Sequence, residues 1–201
     1  MGVLASIIDK SISGSFSSDV FKIGDFAFRD CSSLTSVSFP KATNIGNNAF
    51  NRCNNLTDIS FPNATSIGEY AFNSCSSLTN VSIPNATSIG YIAFQSCSSL
   101  TEVSFPNATS IGSSAFYYCS KLTSASFPKA TSIGSSAFEY CGKLTTIYVG
   151  TNTSTVCTLS SSNAFTNCTK LTNIYVPASL VDSYKSATNW SKYASKIKET
   201  P

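Results

Sequence analysis

Hydrophobic and polar residues recur along this chain in a frame of 22 positions. One copy, residues 67–88, reads Ile-Gly-Glu-Tyr-Ala-Phe-Asn-Ser-Cys-Ser-Ser-Leu-Thr-Asn-Val-Ser-Ile-Pro-Asn-Ala-Thr-Ser. The first position of the frame is occupied by Ile23, Ile45, Ile67, Ile89, Ile111 and Ile133. A repeat of this length is typical of a solenoid, in which each coil buries its apolar face only against its neighbours.

Each copy of the frame contains one predicted strand. In the first copy, Leu34, Val37 and Phe39 alternate with two serines, which is the period-2 pattern of a half-buried strand. A proline follows and ends the strand, because it has no N–H to donate to a ladder. The chain then returns through Ile-Gly and Ala-Phe, which predicts a tight corner or a positive φ at the glycine and a short helical turn on the side away from the strands.

The interior of this solenoid is predicted to consist of columns, each with one side chain from every coil. The main column is aromatic and comprises Phe28, Phe50, Phe72, Phe94, Phe116, Phe138 and Phe165. Burial of one such side chain contributes roughly 1.5–3 kcal/mol. The columns therefore outweigh the sparse charges in holding the coils together.

A column of thiols accompanies the phenylalanines: Cys31, Cys53, Cys75, Cys97, Cys119, Cys141 and Cys168. Adjacent coils lie about 4.8 Å apart, a distance that permits disulfides, but parallel Cβ vectors suit them poorly. A straight column also does not converge on one point, as a zinc site requires. We therefore expect small buried hydrophobic groups, with a disulfide between Cys157 and Cys168 as the alternative for the one thiol outside the column.

Three segments follow from where the frame begins and ends. Residues 1–22 are a degenerate turn that predicts an N-terminal cap, and residues 23–177 form the solenoid. An insertion near residues 150–162 lengthens one repeat to 27 residues. Residues 178–201 predict a helical C-terminal cap, in which Trp190 plugs the last coil.

Composition narrows the possible function classes. Only 11% of the residues are charged and the net charge is +3, which is too dilute for a nucleic-acid footprint. The absence of histidine removes the commonest general base and metal ligand. No run of about 18–20 apolar residues marks a membrane span, and the N-terminus does not match a signal peptide. We expect no cofactor, no metal, no nucleic-acid partner and no membrane insertion.

The combined pattern Leu-x-x-Val-x-Phe-Pro and Ile-Gly-x-x-Ala-Phe-x-x-Cys resembles the BspA-like leucine-rich repeat over residues 23–177. The resemblance implies a curved, right-handed solenoid with a parallel sheet on its concave side. It also implies a secreted or cell-surface bacterial protein linked to adhesion, although similar repeats occur in phage-encoded proteins. An extracellular or cell-surface location is therefore expected. Because no signal peptide is present, a virion or the cytoplasm stays an alternative.

Outward positions of the strands supply the first candidate binding residues. The position before the central Val or Ile holds Asp58, Asn80 and Glu102 in successive copies. Two carboxylates about 9–10 Å apart come near the spacing of an inverting glycosidase, and the three side chains together offer oxygen atoms to calcium. A solvated surface is the favoured interpretation, since an open sheet does not desolvate a carboxylate and calcium needs six or more converging oxygens.

The other outward position holds Ser104 and Ser126, and then Tyr148 and Tyr175. Exposed tyrosine gives contact area at low entropic cost and suits the binding of proteins or sugars. We predict a non-catalytic binding or adhesion module whose Ser/Thr/Asn/Tyr surface contacts a protein or glycan on a host or neighbouring cell. The alternative is a structural spacer, or a tail-associated host-recognition component of a phage virion. The sequence leaves the oligomeric state open and favours a monomer.

Overall fold

The computed structural model describes residues 2–4 and 19–201 and shows a parallel β-solenoid. The prediction of a repeat solenoid is confirmed, because the strand pairs are all parallel and most of them join residues 22 positions apart. Most of the N-terminal cap predicted for residues 1–22 lies outside the described residues.

Short strands dominate the described chain. The strands are β1 (Gly2–Leu4), β2 (Val20–Ile23), β3 (Ser36–Ser38), β4 (Asn44–Ile45), β5 (Asp58–Ser60), β6 (Ser66–Ile67), β7 (Asn80–Ser82), β8 (Ser88–Ile89), β9 (Glu102–Ser104), β10 (Ser110–Ile111), β11 (Ser124–Phe127), β12 (Ser132–Ile133), β13 (Thr146–Val149), β14 (Thr158–Leu159), β15 (Asn173–Val176) and β16 (Ile197–Glu199). The helical segments are a 3-10 helix Ala178–Leu180, the α-helix α1 (Val181–Ser186) and a 3-10 helix Ser191–Lys196.

Each coil contributes strands to two sides of the solenoid. On one side, β1, β2, β4, β6, β8, β10, β12 and β14 form a continuous sheet. On another side lie the sheets β3–β5–β7 and β9–β11–β13–β15–β16. We call the outward residues of β3, β5, β7, β9, β11, β13 and β15 the strand face. Among the described strands, β7 and β9 are neighbours along this side without being paired, so its ladder is interrupted once.

Stacked aromatic rings fill the interior. The rings of Phe28, Phe50, Phe72, Phe94, Phe116, Phe138 and Phe165 follow one another at centroid distances of 4.9–5.5 Å and lie within 12° of parallel. A second buried column, which includes Phe105 and Phe127, contacts the first at tilted angles. All these rings are almost wholly buried, so the coils share one hydrophobic core.

The turns that follow each Ile-Gly pair are not helical, and the prediction of short helical turns was wrong in this detail. The Phe28 N–H donates to the carbonyl of Ala49 in the next coil at 2.7 Å, whereas the Arg29 N–H donates back to Phe26 at 3.1 Å. Alternate N–H groups thus point along the solenoid axis, which an α-helix does not allow. The chain achieves this by placing two residues of most turns, four positions apart, at positive φ, for example Phe26 at 59° and Asp30 at 61°.

The glycine column marks close approach between coils. A Cβ atom added to Gly90 would lie 2.6 Å from the backbone of Gly68, and one added to Gly112 would lie 2.6 Å from that of Gly90. Glycine is therefore required at these positions by contact with the preceding coil rather than by a positive φ.

The C-terminal segment closes the core with side chains from α1 and from the turn that follows it. Trp190 is buried with its ring 6.0 Å from Phe165, and its indole N–H donates to the Cys157 carbonyl at 2.7 Å. The cap predicted as helical is only partly so, because β16 pairs with β15. This added strand satisfies backbone groups that would otherwise form an exposed sheet edge.

Candidate functional site

The strand face is an ordered polar surface whose side chains follow two rows. The first row comprises Ser36, Asp58, Asn80, Glu102, Ser124, Thr146 and Asn173, and the second comprises Ser38, Ser60, Ser82, Ser104, Ser126, Tyr148 and Tyr175. Threonines that precede the first row brace the coils, as when the Thr123 hydroxyl donates to the Thr101 carbonyl at 2.9 Å. The strands therefore present these side chains from a rigid framework.

Tyr148 and Tyr175 form the aromatic end of the second row. They lie directly opposite one another on β13 and β15, and their rings stack with centroids 5.0 Å apart at 26°. Both side chains are half-buried. The pair thus combines a fixed geometry with exposed ring surface.

Lys198 continues this row beyond the tyrosines, because β16 places it opposite Tyr175. Its ammonium donates to the Asn173 side-chain oxygen at 2.6 Å. Sequence reasoning missed this residue, since the segment around it was expected to be helical. The available signal was the apolar Ile197 between Lys196 and Lys198, which spans only three residues.

Asp58 and Asn80 are brought together on β5 and β7. The Asp58 carboxylate accepts hydrogen bonds from the Thr57 hydroxyl at 2.6 Å and from the Asn80 amide at 2.5 Å. The Thr57 bond first, and the Asn80 bond second, lower the pKa of Asp58 below its usual value. Asp58 is therefore ionised at neutral pH, because its slight desolvation does not offset these two hydrogen bonds.

Glu102 is not part of this network, because it lies across the interruption between β7 and β9. The residues there line a cleft of about 500 Å³: Thr79, Asn80, Val81, Ser82, Thr101, Glu102, Val103, Ser104, Ser124 and Ser126. Ser104 and Ser126 lie opposite one another on β9 and β11, at one wall of this cleft. A second depression, of about 380 Å³, lies next to it over β3 and β5.

The thiol column serves the core of the structure. From Cys53 to Cys168, each column thiol donates to the carbonyl of a phenylalanine in the preceding coil at 3.0–3.2 Å. All eight cysteines are buried, and the seven from Cys53 to Cys168 are free thiols. Burial raises the pKa of Cys53 and of Cys119 to about 12, which keeps both thiols protonated and unreactive.

A second group of tyrosines lies on the turns rather than on the strands. Tyr117, Tyr118 and Tyr140 are mutually in contact with centroids 5.5–6.4 Å apart. Tyr118 is 51% exposed and Tyr140 is 40% exposed. These residues provide a matched comparison for the tyrosine pair of the strand face.

Neither a metal cluster nor a membrane span is found in the described ranges, 2–4 and 19–201. No three His, Cys, Asp or Glu side chains there lie close enough to hold a metal ion together. None of the helices in these ranges has the length and hydrophobicity needed to cross a bilayer.

Family comparisons agree with the repeat geometry. A model described as the BspA-type leucine-rich repeat region matches residues 10–107 and 87–198, with six copies. The chain belongs to the BspA-type leucine-rich repeat family. The resemblance drawn from the sequence is thereby confirmed, and this family suggests a protein-binding or adhesion type of module. Proteins with this repeat are often associated with the surface of bacteria and are generally non-catalytic.

Solved structures extend the likeness to the whole fold. A leucine-rich repeat protein of T. pallidum is 28% identical, with a TM-score of 0.75 over 90% of this chain and 85% of that one. A leucine-rich repeat protein from Bacteroides ovatus is 26% identical, with a TM-score of 0.72 over 87% of this chain. This chain spans 49% of the length of the Bacteroides protein. No significant match was found among curated proteins.

Proposed function

We propose that this protein is a non-catalytic adhesion module, which uses its strand face to bind a protein or a glycan on a host or neighbouring cell. The stacked pair Tyr148 and Tyr175 carries the proposal. Tyrosines are enriched at binding sites because they offer a large apolar ring with a polar end. Here two of them are aligned on neighbouring strands, next to the cation of Lys198.

The serines and threonines that surround the pair support the same function. Their hydroxyl groups donate and accept hydrogen bonds, which suits a sugar or a polar protein surface. Several of them are fixed by bonds between coils, so little side-chain entropy is lost when a partner binds. An extracellular or cell-surface location fits this role.

A glycan and matrix-protein array probed with the full chain tests the proposal. Tyr148→Ala combined with Tyr175→Ala is expected to weaken binding to the positive array members by about tenfold or more, since buried aromatic contacts often exceed about 1.4 kcal/mol. The matched control combines Tyr118→Ala with Tyr140→Ala on the turns, which should leave binding unchanged.

Which variant loses binding shows whether the strand face or the turns contact the partner. Equal binding by the strand-face variant and by the unchanged protein would remove the tyrosine pair as a contact. A loss confined to the turn variant would move the binding site to the opposite group of tyrosines. No binding to any array member would favour a structural spacer.

A further inference from the structure

The interruption between β7 and β9 leaves backbone groups of two neighbouring strands without partners. In the adjoining ladder, Asn80 and Ser82 bond to the coil before them, as the bond from the Phe61 N–H to the Ser82 carbonyl shows. Alternate residues of a parallel strand bond to opposite sides, so the N–H groups of Val81 and Ile83 point to the cleft. Within the described chain, Ile83 donates to no other backbone group, and no strand pairing engages Val81 on this side.

The facing strand has the same deficit. Glu102 and Ser104 are the β9 equivalents of Asn80 and Ser82, which bond to the preceding coil. The backbone groups of Glu102 and Ser104 therefore point toward β7. Over residues 19–201, no strand pairing satisfies them on that side. The two edges thus expose complementary donors and acceptors toward each other across the cleft.

The side-chain ladder breaks at the same place. Threonine hydroxyls donate to the preceding coil from Thr57, Thr79, Thr123, Thr145 and Thr172, at 2.9–3.3 Å. The equivalent bond from Thr101 to Thr79 is the one missing from this series in the described chain. The backbone ladder and the threonine ladder therefore break at the same junction between coils.

The opening is confined to the strand side. On the turn side of the same junction, the Phe72 N–H donates to the Ala93 carbonyl at 2.8 Å, and the rings of Phe72 and Phe94 stack at 5.2 Å. Ile83 and Phe105 stay buried beneath the cleft. The core is thus intact, and only the surface strands are separated.

The two strands lie farther apart than the strands of a paired ladder. Most Cα atoms of β7 lie more than 8 Å from those of β9, whereas paired strands lie about 4.8 Å apart and a strand inserted between two others needs about 9.6 Å. Val81 is half-buried, while its equivalents Val37 and Ile59 are buried. An apolar side chain of an inserted strand would cover it.

The charge at the cleft is negative. Asp58 and Glu102 are both exposed on the strand face, on either side of Asn80. The ion pairs found among the described residues, Arg29 with Asp30 and Lys41 with Asp19, involve neither of them. A cationic side chain on the outer face of an added strand would complement these two carboxylates.

We propose that the cleft between β7 and β9 binds an extended peptide segment of a partner protein, which adds a strand and places Lys or Arg residues beside Asp58 and Glu102. This inference rests on the proposed function of the strand face and names the class of partner. Backbone hydrogen bonds supply affinity in this mode, and alternate side chains supply specificity. The preferred segment alternates basic residues, which face outward, with β-branched apolar residues, which face Val81.

Amide hydrogen exchange on the full chain provides the first test. In the peptide-free protein, the amides of Val81 and Ile83 should exchange much faster than those of Ile59 and Phe61, their equivalents in the intact ladder. A short capped peptide of alternating Lys and Val should slow the exchange of Val81 and Ile83. Equal protection of all four amides in the peptide-free protein would overturn the proposal, because the ladder would then be closed.

Binding of the same peptide, followed by fluorescence anisotropy, provides the second test. A matched peptide of alternating Glu and Val should bind far more weakly. Asp58→Asn combined with Glu102→Gln should lower the affinity for the Lys-Val peptide by about three- to thirtyfold. The control Glu69→Gln, on a turn, should leave that affinity unchanged. Equal affinity for the two peptides would contradict the charge complementarity.

Val81→Pro separates strand addition from charge attraction. Proline removes the N–H that faces the cleft, and no strand pairing of the described chain uses that N–H. The variant should unfold at the same temperature as the parent protein and should no longer bind the Lys-Val peptide. If the variant does not fold, the exchange rates of the parent protein still decide the matter.

Failure of this proposal is distinguishable from failure of the proposed function. If the protein binds array members through Tyr148 and Tyr175 but shows no peptide-dependent protection at Val81, the proposed function holds and the peptide site in the cleft is rejected. If the protein binds the peptide but no array member, the peptide site in the cleft holds and the proposed role of the tyrosine pair is rejected.

Discussion

Replacement of Phe94 by alanine tests the stacked core most sharply. Its side chain is fully buried, and its ring lies 5.2 Å from that of Phe72, 5.3 Å from Phe116 and 5.8 Å from Phe105. A buried Phe→Ala change costs about 3–5 kcal/mol through lost burial and the cavity left behind. Because each coil contacts only its neighbours, the loss weakens the interfaces on both sides of the central coil.

Such a loss is a large part of the roughly 5–15 kcal/mol that stabilises an ordinary domain. For a chain of this size, about 2–4 °C is lost per kcal/mol, so the thermal midpoint should fall by about 6–20 °C. Circular dichroism during heating, and urea unfolding at fixed temperature, measure the change. Phe94→Leu keeps most of the volume and should cost less than half as much.

Phe26→Ala is the matched control, because this phenylalanine is 48% exposed on a turn. Its removal should change the free energy of unfolding by less than about 0.5 kcal/mol. The reasoning about stacked columns is refuted if the alanine variants at Phe94 and Phe26 unfold at the same temperature. It is also refuted if Phe94→Ala costs under about 1 kcal/mol.

Three further outcomes follow from the packing. Gly90→Ala should destabilise the protein by about 1–3 kcal/mol in urea unfolding, since the new methyl group meets the preceding coil at 2.6 Å; an unchanged midpoint would contradict this close approach. Tyr184→Phe should cost about 1–3 kcal/mol in the same assay, because the phenol oxygen accepts the buried Cys157 N–H at 2.9 Å. Burial raises the pKa of the Cys53 and Cys119 thiols to about 12, so a thiol reagent near neutral pH should modify them only after unfolding; rapid labelling of the native protein would contradict this.

The sequence was sufficient to predict the features that recur at the same position of every 22-residue repeat. When Phe72, Phe94 and Phe116 occupy the same position of a 22-residue frame, stacking follows, because any other arrangement would expose them to water. The alternation around Val37 likewise predicted a strand with polar residues outward. These signals repeat in every coil and reinforce one another.

Structural features that occur only at one coil could not be predicted from the repeat pattern. The separation of β7 from β9 concerns the distance between two coils whose local patterns are ordinary, so nothing in Val81 or Glu102 marks it. The turns oppose local preference, since Tyr70 and Ile92 adopt positive φ values of 55° and 59°, which bulky residues seldom do. Hydrogen bonds between coils impose that backbone, and sequence propensity does not reveal them.

A hydrogen-exchange footprint of the array member that binds most tightly tests the role of the strand face most directly. Binding is expected to slow exchange on β9, β11, β13, β15 and β16, with the strongest effect next to Tyr148 and Tyr175, and to leave the turns around Tyr118 unchanged. Protection confined to the turns, with none on these strands, would contradict the assignment of the strand face as the binding surface.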